Sequence, residues 1–471
     1  MKHTTAIVTA LWLTSLAALH GADNSPLTHL AFQRCLQPCV RDANGKLIAG
    51  TEVGSLTAHQ GRLYAANCIW NETDPAIPKA CAILVLDSPK GQWRVDRQFA
   101  PDEQRCSVLQ EVTFATDARG QAIAPVTFLL AVPDVTRGKP TQVFCRDDAT
   151  GEWSASTLGT GAEASMTRSL GLHRDKVTGI DRVFAGNRPL GVISGVYDPA
   201  APGRIRWDKS AEFAAPTAPG RIRSDKAELA PRGERVMGFC DCNGILYAAT
   251  SRHIYQRTDG VAPKWKEVYF CEKEITPVGI RGLAAVPKPG GKGEELWFVA
   301  FRKVRRLDPA AGFKETIELD LPAFLTEKLG VPVGYVLAAY NDLLSYRVPG
   351  SGEPCWLFGF ECSYTDSVIK SHPEFKARAQ HKEGSQSYFA GNARYCIRHV
   401  RGASVSYEVA EITDPAQPKL VATRTIAVSP FPEDQGKALY FAGYDGNGTP
   451  AHNTAWIYRG ELPNKANDNR R

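Results

Sequence analysis

Arg168-Ser-Leu-Gly-Leu-His173 carries a six-residue shape that the chain repeats seven times. A polar or bulky residue opens it; a variable, an aliphatic, a small, an apolar and a second variable residue follow. The other copies are Gly54-Ser-Leu-Thr-Ala-His59, Gln110-Glu-Val-Thr-Phe-Ala115, Arg235-Val-Met-Gly-Phe-Cys240, Arg281-Gly-Leu-Ala-Ala-Val286, Tyr335-Val-Leu-Ala-Ala-Tyr340 and Arg424-Thr-Ile-Ala-Val-Ser429. The first six follow one another at roughly 45 to 70 residues, the period of a propeller blade and too long for most solenoids. The fourth place holds only Thr57, Thr113, Gly171, Gly238, Ala284, Ala338 and Ala427. Small side chains at one register are what the crowded hub of a radial array demands.

Each copy leads into a second hydrophobic run, such as Arg62-Leu-Tyr-Ala-Ala66, Gly244-Ile-Leu-Tyr-Ala248 or Glu295-Leu-Trp-Phe-Val299. Further short β-rich runs follow, separated by Gly, Pro and Asp turns, and no long segment shows the apolar spacing of an amphipathic helix. The fold class expected is therefore all-β, a seven-bladed propeller of four-stranded blades. The blades run approximately over 51–100, 106–160, 166–215, 233–272, 278–320, 332–414 and 420–462. The last unit has only three strands, so a strand from 27–40 is expected to complete it and close the ring. Two near-identical segments, Ala201 to Lys209 and Ala218 to Lys226, fit a tandem insertion in a surface connection before the fourth blade.

Residues 1–22 have the basic start and apolar core of a secretory signal, which places the protein outside the cell or in the periplasm. Residues 464–471 read as a flexible tail. The net charge of +6 is spread without a block of like charges, which is too weak to indicate nucleic acid, and no apolar stretch is long enough to span a membrane. The twelve cysteines suit an oxidising compartment. Cys68 with Cys81 and Cys362 with Cys396 stand at the mouths of corresponding loops and are expected to form disulfides.

In a propeller the residue opening each copy lines one mouth of the central channel. Those places hold Gly54, Gln110, Arg168, Arg235, Arg281, Tyr335 and Arg424. Four guanidinium groups around one narrow opening repel one another unless something compensates. Glu111 and Glu234, each beside a ring position, could do so, and so could a bound anion. His253 and Arg302 come from loops expected on the same face, and a mouth of one sign draws in ligands of the other. The alternative is that the arginines pair with carboxylates of neighbouring blades. His452, in a loop of the seventh blade, and Tyr335 are the candidate proton carriers: removing a proton beside a uronate carboxyl needs a cation on that carboxyl and a base nearby. His59 and His173 fall further down their strands and read as buried. The sequence has no P-loop, nucleophile elbow or haem motif, and calls for no metal or cofactor. The long segment between Glu361 and Gly391 has no assigned role.

With their Leu-Tyr-Ala-Ala runs and Asp-Pro and Asp-Gly turns, the copies resemble secreted bacterial seven-bladed propellers of the broad kelch and YVTN type, over nearly the whole chain. The resemblance implies architecture rather than activity. The chain is also similar, in fold and residue type only, to polysaccharide lyases with Arg, His and Tyr at a channel mouth, which is analogy. The expected protein is a monomer binding an anionic small molecule or saccharide, uronate-bearing or sulfated, at an arginine-lined mouth. As an enzyme it would be a polysaccharide lyase or glycoside hydrolase acting on an acidic saccharide. The alternative is a non-catalytic extracytoplasmic scaffold that binds another protein.

Overall fold

The computed structural model of the chain describes residues 25–463 except 37, 71, 73, 136–137, 159–164, 219–231, 272–278, 342, 373, 375–379, 382–386, 390–392, 417–419 and 446–451. The expected signal segment 1–22 and the tail 464–471 lie outside the described residues.

Seven antiparallel sheets, each four strands deep, form the blades of a propeller. The first five are built in chain order, from Glu52–His59 as the first inner strand to Lys314–Asp320 as the fifth outer one. In the sixth, Tyr335–Ala338 and Leu344–Arg347 both pair with Pro354–Thr365, so the inner strand is interrupted midway. The seventh takes its outer strand from the opposite end of the chain: Ala31–Leu36 pairs with Ala455–Glu461 and closes the ring. No helix among the described residues is long and apolar enough to cross a membrane.

Burial follows the distance from the hub. The second strands Arg62–Cys68 and Glu294–Ala300 are buried on both faces, because neighbouring blades sandwich them, and they are accordingly apolar over Leu63 to Ala66 and Leu296 to Ala300. Apart from the buried Val95, the outer strands Arg94–Gln98 and Lys264–Phe270 are half-buried or exposed, and they carry charges. The small residues at the hub have a direct cause. A Cβ on Gly171 would lie 2.5 Å from Cβ of Phe239 on the next blade, so a side chain there would hold the two inner strands apart.

Alternate blade boundaries carry the same buried clamp. An arginine on a third strand reaches back to a carboxylate of the preceding blade: Arg146 to Asp96 at 3.0 Å, Arg257 to Glu212 at 2.6 Å and Arg398 to Glu318 at 2.6 Å. An aromatic side chain of the outer strand donates to the same carboxylate, namely Trp153 at 2.8 Å, Trp265 at 3.0 Å and Tyr407 at 2.9 Å. The blades are thus joined first to second, third to fourth and fifth to sixth.

Two expectations are corrected. The bridges Cys68–Cys81 and Cys362–Cys396 are not formed, and all twelve cysteines are thiols. Cys396 pairs with Phe358 while Cys362, on the same strand as Phe358, pairs with Val336, so these two cysteines are staggered along the sheet. The Cys68 thiol turns across the blade boundary to the Cys106 carbonyl at 3.4 Å. The first of the duplicated segments is not a loop insertion: it contains the turn Pro202–Arg204 and the outer strand Ile205–Trp207 of the third blade. Most of the second copy lies outside the described residues.

Candidate functional site

In six of the seven blades the inner strand is irregular near its start. Pairing with the second strand skips Gly54 in the first blade, Ser107 in the second, Arg168 in the third and Arg424 in the seventh. The fifth blade has its irregularity between Arg281 and Ala284, where Gly282 takes φ +62°, and the sixth breaks after Ala338, with Ala339 at φ +49°. A bulge leaves a residue out of the ladder and re-aims its side chain. At Arg168 and Arg424 the bulge re-aims a guanidinium towards one mouth of the channel.

Tyr340 occupies the middle of that mouth. Its neighbour Asn341 crosses the channel and donates from Nδ2 to the Gly54 carbonyl of the first blade. The Tyr340 oxygen accepts a hydrogen bond of 2.9 Å from Arg105, which stands just ahead of the second blade. The guanidinium carbons of Arg281 and Arg424 lie 4.3 and 4.2 Å from the centre of its ring. Burial acts to raise the Tyr340 pKa, but Arg105, Arg168 and Arg281 outweigh burial and Glu52 and bring it down to about 7.

The arginines differ in how well they are answered. Arg424 is held at 2.9 Å by Glu52 and at 3.2 Å by Glu361, with all three side chains buried. Glu52 also accepts from Arg105 at 3.0 Å and from Trp70 at 2.8 Å. Burial opposes its charge, yet Arg105 and Arg424 hold its pKa below the usual carboxylate range. Arg168 donates to Ser107 and lies 3.5 Å from Asp134, whose pKa burial raises against the pull of Arg168, Arg105, Arg235 and Arg188. Arg235 forms no ion pair with any described residue. Burial and then the charges of Arg168, Arg188 and Arg281 push its pKa down to about 10, and burial brings Arg281 to about 10 as well. Several buried atoms of the cluster have no hydrogen-bond partner: Nε of Arg105, Nε of Arg168, one terminal nitrogen of Arg424 and Oδ1 of Asp134. Beyond Tyr340 the inner strands enclose a channel of about 550 Å³, which Arg168 and Asn341 line together with Ser55, Thr57 and Gln110.

Of the residues singled out from sequence, Arg168, Arg235, Arg281 and Arg424 thus stand within electrostatic reach of one another or of Tyr340. Tyr335 is 36 % exposed and donates to Glu361 at 3.0 Å, and burial with the Glu361 charge pushes its pKa up. His452 is bound at 3.0 Å to Glu72, two residues beyond Trp70. His253 stacks on Phe270 and bonds to Glu267, and Arg302 donates to the Gly334 carbonyl at 2.7 Å. Glu111 is elsewhere: it binds His59 at 2.7 Å at the far end of the inner strands. Its place by the mouth rested on Gln110, but the level of Gly54 and Arg168 corresponds in the second blade to Ser107, three residues earlier. His59 and His173 are buried in carboxylate pairs at that same far end. Sequence reasoning missed Tyr340, Arg105, Glu52, Asp134 and Glu361. Tyr340 was visible as the last residue of the sixth copy, but nothing local announces that the strand breaks there.

No protein-family model matches the chain, and no curated protein does. Among solved structures the chain is similar to an α-L-arabinanase of Penicillium chrysogenum complexed with arabinobiose, at 10% identity over 92% of this chain and 98% of that one, with a TM-score of 0.42. It is also similar to a GH43 β-1,3-galactosidase with galactodeoxynojirimycin, at 11% identity over 77% of this chain and 94% of that one, with a TM-score of 0.30. Similarities of this size bear on neither the ligand nor the reaction of this chain.

Proposed function

We propose that the protein is an extracytoplasmic propeller that binds an anionic saccharide, uronate-bearing or sulfated, at the channel mouth around Tyr340. The observation that carries this reading is Arg235, a half-buried guanidinium that Arg168, Arg188 and Arg281 repel and that forms no ion pair with a described carboxylate, Asp134 acting on it only at longer range. A cation kept among cations is stabilised by an anion from outside, and the planar fork of arginine suits carboxylate and sulfate. The orphaned nitrogens of Arg105, Arg168 and Arg424 add donors of the same kind. Cleavage by β-elimination is the reaction these groups can support. Guanidinium groups offset the charge of the substrate carboxylate and so acidify the neighbouring C–H for removal by a base.

Titration calorimetry of the intact protein against galacturonate, glucuronate, a sulfated galactose and neutral galactose tests the reading. The acids bind, more weakly as salt is raised, and neutral galactose does not. Equal binding of galactose, or binding of none of the acids, overturns it. The same polyuronates, followed by unsaturated-product absorbance and reducing ends together, separate elimination from hydrolysis.

A further inference from the structure

Three tyrosine hydroxyls meet at this mouth, and their bonding differs. Tyr335 and Tyr444 each donate to Glu361, at 3.0 Å to one oxygen and 3.0 Å to the other. A proton is needed for that bond, and both phenols are correspondingly harder to ionise, by burial first and the Glu361 charge next. Tyr340 has no carboxylate acceptor among the described residues; its oxygen instead receives a hydrogen bond from Arg105.

The surroundings of Tyr340 come from six of the blades. Glu52 reaches it from the first blade, Arg105 from the entry to the second, Arg168 from the third, Arg235 from the entry to the fourth, Arg281 from the fifth and Arg424 from the seventh. Its own blade contributes Glu361, which binds Arg424 and accepts from Tyr335. Two guanidinium groups lie over its ring and a third points at its oxygen, while Glu52 is already shared between Arg105 and Arg424. Its position is a product of the break in the sixth inner strand, where pairing with the second strand passes from Ala338 opposite Phe360 to Leu344 opposite Leu357.

We propose that Tyr340 is the resident counter-anion of this site, so that the site takes up its acidic ligand together with one proton, which Tyr340 receives. The proposal rests on the anion-site reading above and deepens it. An arriving carboxylate or sulfate engages the guanidiniums that stabilise the phenolate. The phenolate, left beside a second negative charge, takes a proton from solvent and becomes a neutral phenol. No bond to the ligand forms or breaks. The titration of Tyr340 near neutral pH agrees with this arrangement. Affinity for the acid falls as pH rises through that titration, by up to about tenfold per pH unit for one coupled proton.

The probe is sodium galacturonate with the full-length protein. Tyrosinate absorbance followed against pH shows one tyrosine ionising near neutrality, absent in Tyr340→Phe, and galacturonate moves that step to higher pH. The other displaced tyrosines, among them Tyr64, Tyr247 and Tyr458, move upward and do not overlap. Calorimetry in buffers of different ionisation enthalpy shows proton uptake on binding in the wild type and none in Tyr340→Phe. Galacturonate binding without proton uptake, and with an unchanged tyrosine titration, overturns the proposal and leaves the anion site standing. Failure of the wild-type protein to bind galacturonate at any pH overturns both. The wild-type titration with and without galacturonate is decisive even if Tyr340→Phe does not fold.

Discussion

Arg257 of the fourth blade holds Asp175 of the third at 2.9 Å, and both side chains are fully buried. The same guanidinium reaches Glu212 and Asp259 at 2.6 Å each and lies over the Phe184 ring. A buried charge with several partners contributes little over an apolar pair while intact, but its removal strands the partners. Arg257→Ala is therefore expected to cost about 3–5 kcal/mol in chemical unfolding. Arg257→Lys falls well short of rescue, since one ammonium cannot replace a fork engaging separate carboxylates. A loss under about 1 kcal/mol, the ordinary worth of a surface pair, would show that the clamp does not join these blades.

His173 makes the same boundary sensitive to pH. Its ring bonds to Asp241 at 2.7 Å and to Asp259 at 3.0 Å. Burial works against the charged ring, but the two carboxylates outweigh it and raise the His173 pKa. A group with a raised folded pKa stabilises fully below its unfolded value, about 6.5 for histidine, and that stabilisation is lost as pH climbs through the folded value. Melting temperature is expected to drop as pH rises above about 6.5. His173→Gln should be less stable at acidic pH and lack that part of the slope. Parallel melting curves for the two proteins across this window would refute the assignment.

The fold was legible because a propeller hub imposes a local rule: Gly171 must be small where Phe239 approaches, and the same rule acts on every inner strand. Arg168 and Arg424 were legible for the same reason, since each opens its copy of the repeat and each is the residue left out of the ladder. The rest of the site depends on breaks in the repeat. Tyr340 reaches the channel through a loop stabilised by contact with Gly54, nearly three hundred positions earlier. Arg105 sits in a turn, where the pattern says nothing about direction, and Ser107 was hidden by reading the second blade three residues late. The clamps were invisible for a different reason. Arg398 and Glu318 belong to different blades, and no spacing in one chain reveals which carboxylate a buried arginine meets.

The thiols give a chemical check on the cysteines. Only Cys39 is exposed, ten of the others are buried, and burial pushes the thiols of Cys35, Cys68 and Cys145 up to about 12. The thiolate is the reactive form, so native protein is expected to release one equivalent of thiol-reagent colour, and denatured protein twelve. A denatured count of ten would place a disulfide in the molecule. Cys68 and Cys81 would be the first pair to map, because each adjoins a member of the paired Asn67 and Ala82.

Arg235 and Arg424 separate a ligand-binding arginine from a structural one. Arg424 is buried between Glu52 and Glu361, so Arg424→Ala leaves two carboxylates unanswered and is expected to destabilise by about 3–5 kcal/mol. Arg235 has like charges around it and no ion pair among the described residues, so Arg235→Ala relieves repulsion and should leave the melting temperature unchanged or raise it. Its cost falls on the ligand. A hydrogen bond to a charged group is worth about 1.5–3 kcal/mol, so galacturonate affinity should drop roughly tenfold to a hundredfold. Calorimetry and thermal melts on the two variants give the comparison. Loss of stability in Arg235→Ala with affinity intact would make Arg235 part of the frame, and the mouth would lose the one guanidinium that most needs an anion from outside.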